Sequence, residues 1–504
     1  MNDTNAANEA NVPAAPVDEE AGVGGALWIP LAKIWFVLSG FIVHFGLPNL
    51  LSSEDVGDYG VVNRSVSLVN MVMTTGALQA VARFVAADPS RSPAVRRTAL
   101  RLVGGFGVVV ALAWALAAPL LAELLNDASL TTLFRVTAPI PLAYGVYAVF
   151  VGVLNGRRRF RAQGILDMSY ATMRSGAIVG AAALGYGALG SLTGFTVAAV
   201  IIALIAAVHG LRTTPRGEGA FPVPEIVAFA LPVVFFVVVS NFALSADLFW
   251  VKRLAPADVS KLWTGAYFAI LNLGLVPYML VVSINFIVFP LISRAVFVGD
   301  HAVAAGYVRN SLRLGLLLAL SVEAAFAASP EGVLSFVYPS KPEWQPLAGV
   351  MTPLALGYVA LTLFHISTAM LNAAGRPRVS LLGALLLVGL QSAAVYYAFP
   401  RFGLMGAALG TTAAFLLGTA AIGWQTQRLL GAWLPWKTLL RGAVAAAVAF
   451  AIGHAIELRG LAFVLEAGAC FAAFWLTLIA LGELSTDDRA TLRKILQRRR
   501  PRRS

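Results

Sequence analysis

Long apolar runs constrain this chain more than any other feature of its sequence. A window of about 19 residues picks out fourteen segments between residues 26 and 482, and each is long enough to be a membrane span. A helix of about 20 residues crosses the hydrocarbon core of a bilayer, which is roughly 30 Å thick. Lipid offers no partners to exposed peptide groups, so these segments must be helical. The sequence therefore predicts an all-α polytopic membrane protein with about fourteen transmembrane helices.

The predicted spans run in order along almost the whole chain. The first seven lie near 26–49, 60–82, 99–121, 130–154, 163–184, 189–211 and 226–250. The other seven lie near 264–290, 309–328, 348–371, 379–400, 404–426, 438–456 and 460–482.

The distribution of basic residues predicts the orientation of these spans. Most of the 37 Lys and Arg residues fall in the even-numbered connections and in the C-terminal segment, for example in "GRRRFR" at 156–161. The odd-numbered connections carry only Lys252, Arg253, Lys261, Lys341, Arg401 and Arg459. Because basic loops stay on the cytoplasmic side, we expect both termini to be cytoplasmic and the protein to lie in the inner membrane.

The two ends of the chain are predicted to be polar tails. Residues 1–23 are acidic and lack the basic start of a signal peptide, so we expect a disordered tail. Residues 485–504 are strongly basic, and we interpret them as a cytoplasmic tail attracted to anionic lipid rather than as an RNA-binding segment. The net charge of +12 therefore requires no nucleic-acid partner.

Three sequence motifs recur in the same order in the two halves. "LNGRRRFR" at 154–161 returns as "LNAAGRPR" at 371–378, and "YGALGSLTG" at 186–194 returns as "FGLMGAALG" at 402–410. A weaker pair is "GDYG" at 57–60 and "GAYF" at 265–268. The repeat unit is six spans, an even number, so its two copies keep the same orientation and are predicted to be related by a pseudo-twofold axis along the membrane normal. Chance recurrence of small-residue motifs is the alternative.

The duplication gives a domain plan. We predict an N-lobe of six spans and a C-lobe of six spans, followed by two additional helices. The predicted bounds are 24–215 for the N-lobe, 222–430 for the C-lobe and 436–484 for the last two helices.

A few polar residues inside the first lobe are candidates for a substrate site. Ionisable groups in hydrocarbon are costly and usually face a cavity or a partner. Lys33 and His44 share a face of span one with Gly40 if that span is an α-helix, and span two carries a polar stripe. The candidate substrate-binding residues are Lys33, His44, Asn63, Arg64, Asn70 and Arg174. Arginine pairs well with phosphate oxygens, so such a set suits an anionic substrate such as a diphosphate.

Other reasons could explain several of these residues. Lys33 lies near a span end, where its side chain could extend to the interface, and histidines such as His44 often serve packing. Asp247 is a candidate for ion coupling, although a local ion pair with Lys252 or Arg253 explains it equally well. The acids Asp167, Glu323 and Glu466 lie near span ends, so we expect them to be exposed on the surface.

The sequence carries no pattern typical of an enzyme. The chain has one cysteine and five histidines, scattered too widely to suggest a metal centre. No phosphate-binding Walker A motif is present, and the longest outer connection, about 329–347, is too short for a catalytic domain. We therefore expect no catalytic residues, no metal and no cofactor.

Segments spread over most of the chain resemble a known family. "DYGVVNRSVSLVNMVMTTGALQAVARFVA" at 58–86, "GVLNGRRRFRAQGILDM" at 152–168 and "AMLNAAGRPRVSLLGALL" at 369–386 are the strongest segments, and the likeness covers roughly residues 28–430. The chain resembles the Wzx-like polysaccharide flippases, the polysaccharide transporters of the multidrug/oligosaccharidyl-lipid/polysaccharide exporter superfamily, which have a MATE-like fold.

The resemblance implies an architecture and a function. It implies two six-helix lobes around a V-shaped cavity, two extra helices, and flipping of an undecaprenyl-diphosphate-linked oligosaccharide by alternating access. The implied partners are the lipid-linked glycan, membrane lipids, and the polysaccharide polymerase and export machinery.

Two other functions remain open at this point. A cation-coupled exporter of drugs in the same superfamily would need acidic groups deep in its cavity, and this chain has few. A non-transporting scaffold of a polysaccharide synthesis complex would tolerate removal of the intramembrane charges.

Overall fold

The computed structural model describes residues 27–213 and 221–483, and within these ranges the chain forms helices joined by short connections. The first range contains α1 Trp28–Phe41, α2 Leu47–Leu50, α3 Ser53–Ala87, α4 Ser92–Leu124, α5 Leu130–Thr137, α6 Pro139–Gly156, α7 Phe160–Ala183 and α8 Gly187–Thr213. The second contains α9 Val223–Phe242, α10 Ala246–Leu254, α11 Ser260–Phe297, α12 His301–Ala328, α13 Pro330–Val337, α14 Met351–Ala373, α15 Pro377–Leu430, α16 Trp436–Ile456 and α17 Phe463–Ala480. A π-helical stretch, Ile42–Gly46, joins α1 to α2. Short 3-10 helices lie at Pro89–Arg91, Pro342–Val350 and Gly460–Ala462.

Eleven helical segments of the described residues are long and apolar enough to cross a membrane. The predicted all-α polytopic architecture is confirmed, but the count of fourteen spans is not. The segment α15 consists of two helices that meet at Gly403, where the backbone leaves the helical region with φ 55° and ψ −137°, and these two helices cover the predicted spans 379–400 and 404–426. The predicted span 226–250 is interrupted, because α9 ends at Phe242 and α10 begins only at Ala246.

The chain divides into two compact units, Met1–Asn241 and Phe242–Ser504. Unit 1 is built around α6, which packs against α3, α4 and α8 and is buried along nearly its whole length. Close contact between α6 and α3 depends on glycine. A Cβ atom added at Gly156 would lie 2.7 Å from the Cβ atom of Val85, so a larger residue would force the two helices apart.

Unit 2 has a corresponding central helix, α14, which packs against α11, α12 and α15. The last two helices, α16 and α17, pair with each other and also pack on α12. Glu483, just after α17, fixes the end of this pair. Its carboxylate accepts hydrogen bonds from Arg313 Nε of α12 at 2.8 Å, and from Thr438 Oγ1 and Arg441 Nη1 of α16 at 2.7 and 3.0 Å. We call this group the Glu483 junction.

The strongest sequence repeat folds into the same turn in both units. After α6, the N–H of Arg159 donates to the carbonyl of Leu154 at 2.9 Å, and after α14, Arg376 donates to Leu371 at 2.8 Å. This bond closes a helix by a turn that needs a residue in the left-handed region. Arg158 takes that place in unit 1, with φ 59°, and Gly375 takes it in unit 2, with φ 74°.

Contacts between helices recur in the two units at nearly the same spacing, 60 and 59 residues. Thr196 Oγ1 donates to the carbonyl of Val136 at 2.9 Å, and Thr412 Oγ1 donates to the carbonyl of Pro353 at 2.7 Å. A second pair of contacts involves glycines at the start of the motif at 186–194 and its copy at 402–410. Gly187 packs against the Asp55 carboxylate, and Gly403 packs against the Trp263 ring, at corresponding positions. These correspondences are those that a duplicated set of helices would produce.

The predicted lobe bounds remain predictions. The division between the compact units falls after Asn241, within α9, whereas the sequence placed the start of the C-lobe at residue 222. Both predicted tails, 1–23 and 485–504, lie outside the described residues.

Candidate functional site

The predicted polar residues of unit 1 lie mainly on α3 and α7 and in the π-helical stretch after α1. His44 belongs to that stretch, so α-helical spacing does not hold between Lys33 and His44, and the two do not share one regular α-helical face as predicted. His44 is half-buried and lies within electrostatic range of both Arg64 and Arg174. Three of the six predicted residues are therefore brought together. Stretches of π-helix are frequent at functional sites.

Arg174 is held by aromatic rings rather than by a carboxylate. Its guanidinium carbon lies 5.0 Å from the ring centre of Phe195 on α8 and 5.9 Å from that of Phe36 on α1. The neighbouring Ser175 donates to the carbonyl of Ser39 at 3.0 Å and ties α7 to α1. Cation–π contacts orient a guanidinium group without using its N–H donors. The Nε of Arg174 is buried and has no hydrogen-bond partner in the part of the chain that the structure describes.

Several polar atoms near Arg64 and Arg174 are buried without a hydrogen-bond partner among the described residues. They are Tyr59 Oη, Asn63 Oδ1, Asn70 Oδ1 and Tyr170 Oη. Tyr59 is only 1% exposed and lies within electrostatic range of Arg174. Native proteins satisfy nearly all buried polar groups, so a group of such atoms indicates water or a ligand. We call Tyr59, Asn63, Arg64, Tyr170 and Arg174, with His44, the cationic cluster.

A set of tyrosines forms one wall of the cationic cluster. The ring of Tyr144 lies 5.2 Å from that of Tyr170, and the ring of Tyr147 lies 5.7 Å from it. Tyr147 Oη donates to Asp167 Oδ1 at 2.5 Å. Lys33 is exposed and close enough to Asp167 for their charges to interact, so the structure places Lys33 beside an acid at the edge of the cluster. These tyrosines could not be found from the sequence, because their contact depends on how α6 packs against α7.

The prediction that the acids near span ends are exposed is wrong. Glu323 is 2% exposed and Glu466 is 1% exposed, while Asp167 is half-buried beside Tyr147. Glu323 and Glu466 are buried because neighbouring helices cover the ends of the spans in unit 2, which the position of a residue within its span does not reveal. In particular, α16 and α17 cover α12 close to its end.

Asp247 of unit 2 is surrounded by donors. It is 2% exposed, and its Oδ2 accepts hydrogen bonds from Tyr267 Oη at 3.1 Å and Thr411 Oγ1 at 3.3 Å. Its Oδ1 accepts from the N–H of Leu248 at 2.9 Å. The carboxylate therefore has an environment of hydroxyl groups from α11 and α15. This is a chemically different setting from that of the guanidinium groups in unit 1.

The internal repeat shows that the charges of unit 1 are not conserved in unit 2. The spacing that relates Tyr59 to Tyr267 relates Arg64 to Asn272, and the spacing between the copies of α7 relates Arg174 to Gln391. Gln391 is fully buried, and neither its Oε1 nor its Nε2 has a hydrogen-bond partner among the described residues. Gln391 was not identified from the sequence as a candidate site residue. The only feature that could have pointed to it is that it follows Arg174 by the length of one repeat.

Among residues 27–213 and 221–483, no group of three or more His, Cys, Asp or Glu side chains is arranged to hold a metal ion. The single cysteine, Cys470, is buried in unit 2.

Comparisons with known proteins agree on the fold. The sequence profile of a family described as polysaccharide biosynthesis protein matches residues 23–296. Among solved structures, the lipid II flippase MurJ in an inward closed conformation is similar over 92% of this chain and 100% of its own, with a TM-score of 0.73 and 14% identity. An inward-facing multidrug resistance MATE family transporter of the MOP superfamily is similar over 79% of this chain and 98% of its own, with a TM-score of 0.65 and 15% identity.

A third similar structure is a MOP superfamily transporter from Pyrococcus furiosus whose description reports a binding pocket of reverse polarity. It covers 81% of this chain and 93% of its own, with a TM-score of 0.56 and 16% identity. At such identities the likeness shows the fold alone. Among curated proteins, no sequence is similar enough to be matched.

Proposed function

The chain belongs to the polysaccharide biosynthesis protein family, and from this premise we propose that it is a flippase for a lipid-linked oligosaccharide. The substrate would be a glycan on undecaprenyl diphosphate, moved across the cytoplasmic membrane for export of a surface polysaccharide. The observation that carries this proposal is the cationic cluster, in which Arg64 of the membrane-spanning helix α3 and Arg174 of α7 lie beside buried polar atoms that lack partners in the described structure.

The chemistry of the cationic cluster suits a diphosphate. A guanidinium group offers a planar fork of N–H donors that matches phosphate oxygens, and such charge-assisted bonds are strong where water is excluded. The hydroxyl of Tyr59 and the amide of Asn63 provide further polar contacts for phosphate or sugar. The apolar lipid tail would remain in the bilayer, because transferring it to an aqueous cavity is unfavourable. Alternating access would expose the head-group site to one side of the membrane at a time.

Asp247 is the site at which we propose that an ion is coupled to transport. A buried carboxylate with the hydroxyl oxygens of Tyr267 and Thr411 beside it supplies the hard oxygen ligands that small cations prefer. Neutralising Asp247 would abolish the effect of a gradient of that small cation on flipping and would leave binding of the diphosphate to the cationic cluster intact.

The cellular setting is part of the same proposal. The arginine distribution supports an inner-membrane protein with both termini in the cytoplasm. The basic segment 485–504 would lie against anionic lipid of the inner leaflet, and the polysaccharide polymerase and export machinery would be functional partners.

The two alternative functions make different predictions. An exporter of organic cations needs acidic groups at its binding site, whereas the cluster in unit 1 is dominated by arginines. A scaffold needs no buried guanidinium groups at all, and charged groups held in membrane spans without a task are rare because they are costly.

Reconstitution separates these functions. Purified full-length protein in liposomes should make an undecaprenyl-diphosphate oligosaccharide, initially in one leaflet, accessible to a glycosidase added on the other side. Liposomes without protein provide the background rate. A scaffold would leave that rate unchanged, and an exporter would move an organic cation such as ethidium but not the glycolipid. Either result would overturn the proposed function.

A further inference from the structure

Glu323 on α12 is a buried acid that the proposed site does not use. Its side chain is 2% exposed, and neither carboxylate oxygen has a hydrogen-bond partner among the residues that the structure describes. No ion pair of Glu323 is found in the described part of the chain either. An ionised carboxylate without a partner is very unfavourable in such a setting.

A polar cavity opens one helical turn beyond Glu323. Ala327, four residues further along α12, lines this cavity together with Thr352 of α14, whose Oγ1 donates to the Ala327 carbonyl at 3.0 Å. The cavity has a volume of about 320 Å³, which is room for several water molecules. It lies at the end of α12 that the arginine distribution assigns to the outer side of the membrane, so we call it the outer cavity.

Ion pairs surround the mouth of the outer cavity. His454 Nδ1 lies 3.1 Å from Glu457 Oε1, and the guanidinium of Arg459 bonds the carboxylate of Glu331. All four residues line the cavity. His454 and Glu457 are more than half exposed, so this end of the cavity communicates with solvent. Exposed histidine and carboxylate groups exchange protons readily with water.

A second buried acid, Glu466, lies behind the wall of the same cavity. Glu466 Oε2 accepts a hydrogen bond at 2.6 Å from the N–H of Leu458, which lines the cavity, while its Oε1 has no partner in the described structure. A Cβ atom added at Gly453 would lie 2.7 Å from Ala328 Cβ and 3.4 Å from Glu466 Oε1. Glu466 is therefore beside the end of α12, between the solvent-exposed mouth and the buried interior.

The helices around α12 bring few other titratable groups. Those packed against it are α11, α13, α14, α16 and α17. Their titratable or charged residues at this end are Lys261, Tyr267, Glu331, Tyr358, His454, Glu466 and Cys470, and those towards the opposite end are Tyr278, Arg294, His365, Lys437 and Arg441. The structure records no pairing of any of them with Glu323.

We propose that Glu323 is a proton-binding site of unit 2 that exchanges its proton with water in the outer cavity. The proton leaves a carboxyl oxygen of Glu323 for a water molecule that enters from the cavity and returns by the same route. Burial of the Glu323 carboxyl favours the protonated state. Entry of water from the outer cavity to this carboxyl favours release of the proton. Coupled to flipping, this exchange would let an inward proton gradient drive the cycle, a statement that rests on the proposed function.

Infrared spectroscopy tests the proton directly, without any transport. In purified full-length protein in lipid nanodiscs at neutral pH, the carbonyl stretch of a protonated carboxyl should be present and should shift in D₂O. Glu323→Gln should lose one such band, and Glu323→Asp should keep it. Glu123→Gln, at an exposed acid at the end of α4, is the matched control and should match the wild-type spectrum. Identical spectra for wild type and Glu323→Gln would overturn the proposal.

A flux measurement tests the coupling. Flipping in liposomes is measured with and without a pH gradient, and the ratio of the two rates should fall to unity in Glu323→Gln while staying at the wild-type value in Glu123→Gln. Absence of flipping by the wild-type protein would contradict the proposed function while leaving the infrared test intact. Normal gradient stimulation in Glu323→Gln would contradict the coupling alone.

Discussion

Tyr59 and Tyr147 are a matched pair of residues, because both are buried in unit 1 but only one has a partner for its hydroxyl group in the described structure. Tyr147→Phe removes the 2.5 Å bond to Asp167 and leaves a half-buried carboxylate with one donor fewer. We expect a loss of about 1–3 kcal/mol in the free energy of unfolding. Thermal unfolding in detergent measures this loss. An unchanged midpoint would mean that the Tyr147–Asp167 bond does not stabilise the fold.

Tyr59→Phe should behave in the opposite way. The hydroxyl has no hydrogen-bond partner in the described protein, so its removal should change stability by less than about 0.5 kcal/mol. If the hydroxyl binds the substrate, affinity for the diphosphate lipid should fall by about tenfold. Titration of intrinsic fluorescence with undecaprenyl diphosphate measures this affinity. Destabilisation with unchanged binding would place Tyr59 in the core rather than in the site.

At the scale of single residues, the sequence predicted which charged residues lie within the spans but not which of them are buried or what they contact. Arg64, Arg174 and His44 stood out because charged groups are rare in apolar spans, and the structure brings these three together. The burial of Glu323 and Glu466 could not be predicted, since it depends on how many neighbouring helices cover each position. Gln391 is an uncharged residue, so it drew no attention until the duplication related it to Arg174.

At the scale of helices and turns, the repeated motif after α6 and α14 gives a prediction about backbone strain. Gly375 has φ 74°, and its counterpart Arg158 has φ 59°. A left-handed conformation costs a residue with a Cβ atom roughly 1–2 kcal/mol. Gly375→Ala should therefore lower the free energy of unfolding by about 1 kcal/mol, and Arg158→Gly should raise it slightly. Thermal unfolding of both variants checks the pair, and destabilisation by Arg158→Gly would contradict the argument.

The Glu483 junction predicts how stability depends on pH at the end of α17. Burial tends to raise the pKa of Glu483, but hydrogen bonds from Thr438, Arg313 and Arg441 outweigh it and hold the pKa below its ordinary value of 4.5. A carboxyl whose pKa is lower in the folded state stabilises the fold above its unfolded pKa, and this contribution is lost as pH falls through the folded pKa.

We therefore expect the wild-type unfolding midpoint to drop on acidification below about pH 4.5. Glu483→Gln should be less stable at pH 7 and should lose part of this drop. Unfolding scans between pH 7 and pH 3 measure both effects. The same acid-dependent loss in wild type and variant would show that other groups control it.

Helix positions were largely predictable, and helix irregularities were not. Apolar length predicted where the spans lie, because a span must match the thickness of the bilayer, but several helices extend beyond the predicted ends, for example Ser53–Ala87 beyond 60–82. The π-helical stretch Ile42–Gly46 and the break between α9 and α10 leave no comparable trace in the sequence. The bend at Gly403 is marked only by the Pro-Arg-Phe-Gly segment before it. The π-helical stretch Ile42–Gly46 contains His44, one of the predicted substrate-binding residues. The break after α9 comes just before Asp247, the predicted residue for ion coupling.

For the whole molecule, duplication followed by divergence explains the distribution of charge. Equivalent turns and contacts between helices recur in both units, so the two share an architecture. The arginines of the cationic cluster are replaced by Asn272 and Gln391 in unit 2, while an acid, Asp247, is present there. We infer that one unit specialised in binding an anionic head group and the other in handling a cation or a proton.

The rate of glycolipid flipping by single arginine variants tests this account most directly. In liposomes with equal amounts of folded protein, Arg64→Gln and Arg174→Gln should each slow flipping by about 10- to 100-fold, since each removes charge-assisted bonds to the diphosphate. Arg135→Gln, at an exposed arginine on α5 outside the cluster, is the control and should keep the wild-type rate. Wild-type rates in both cluster variants would contradict the central claim that these guanidinium groups bind the transported head group.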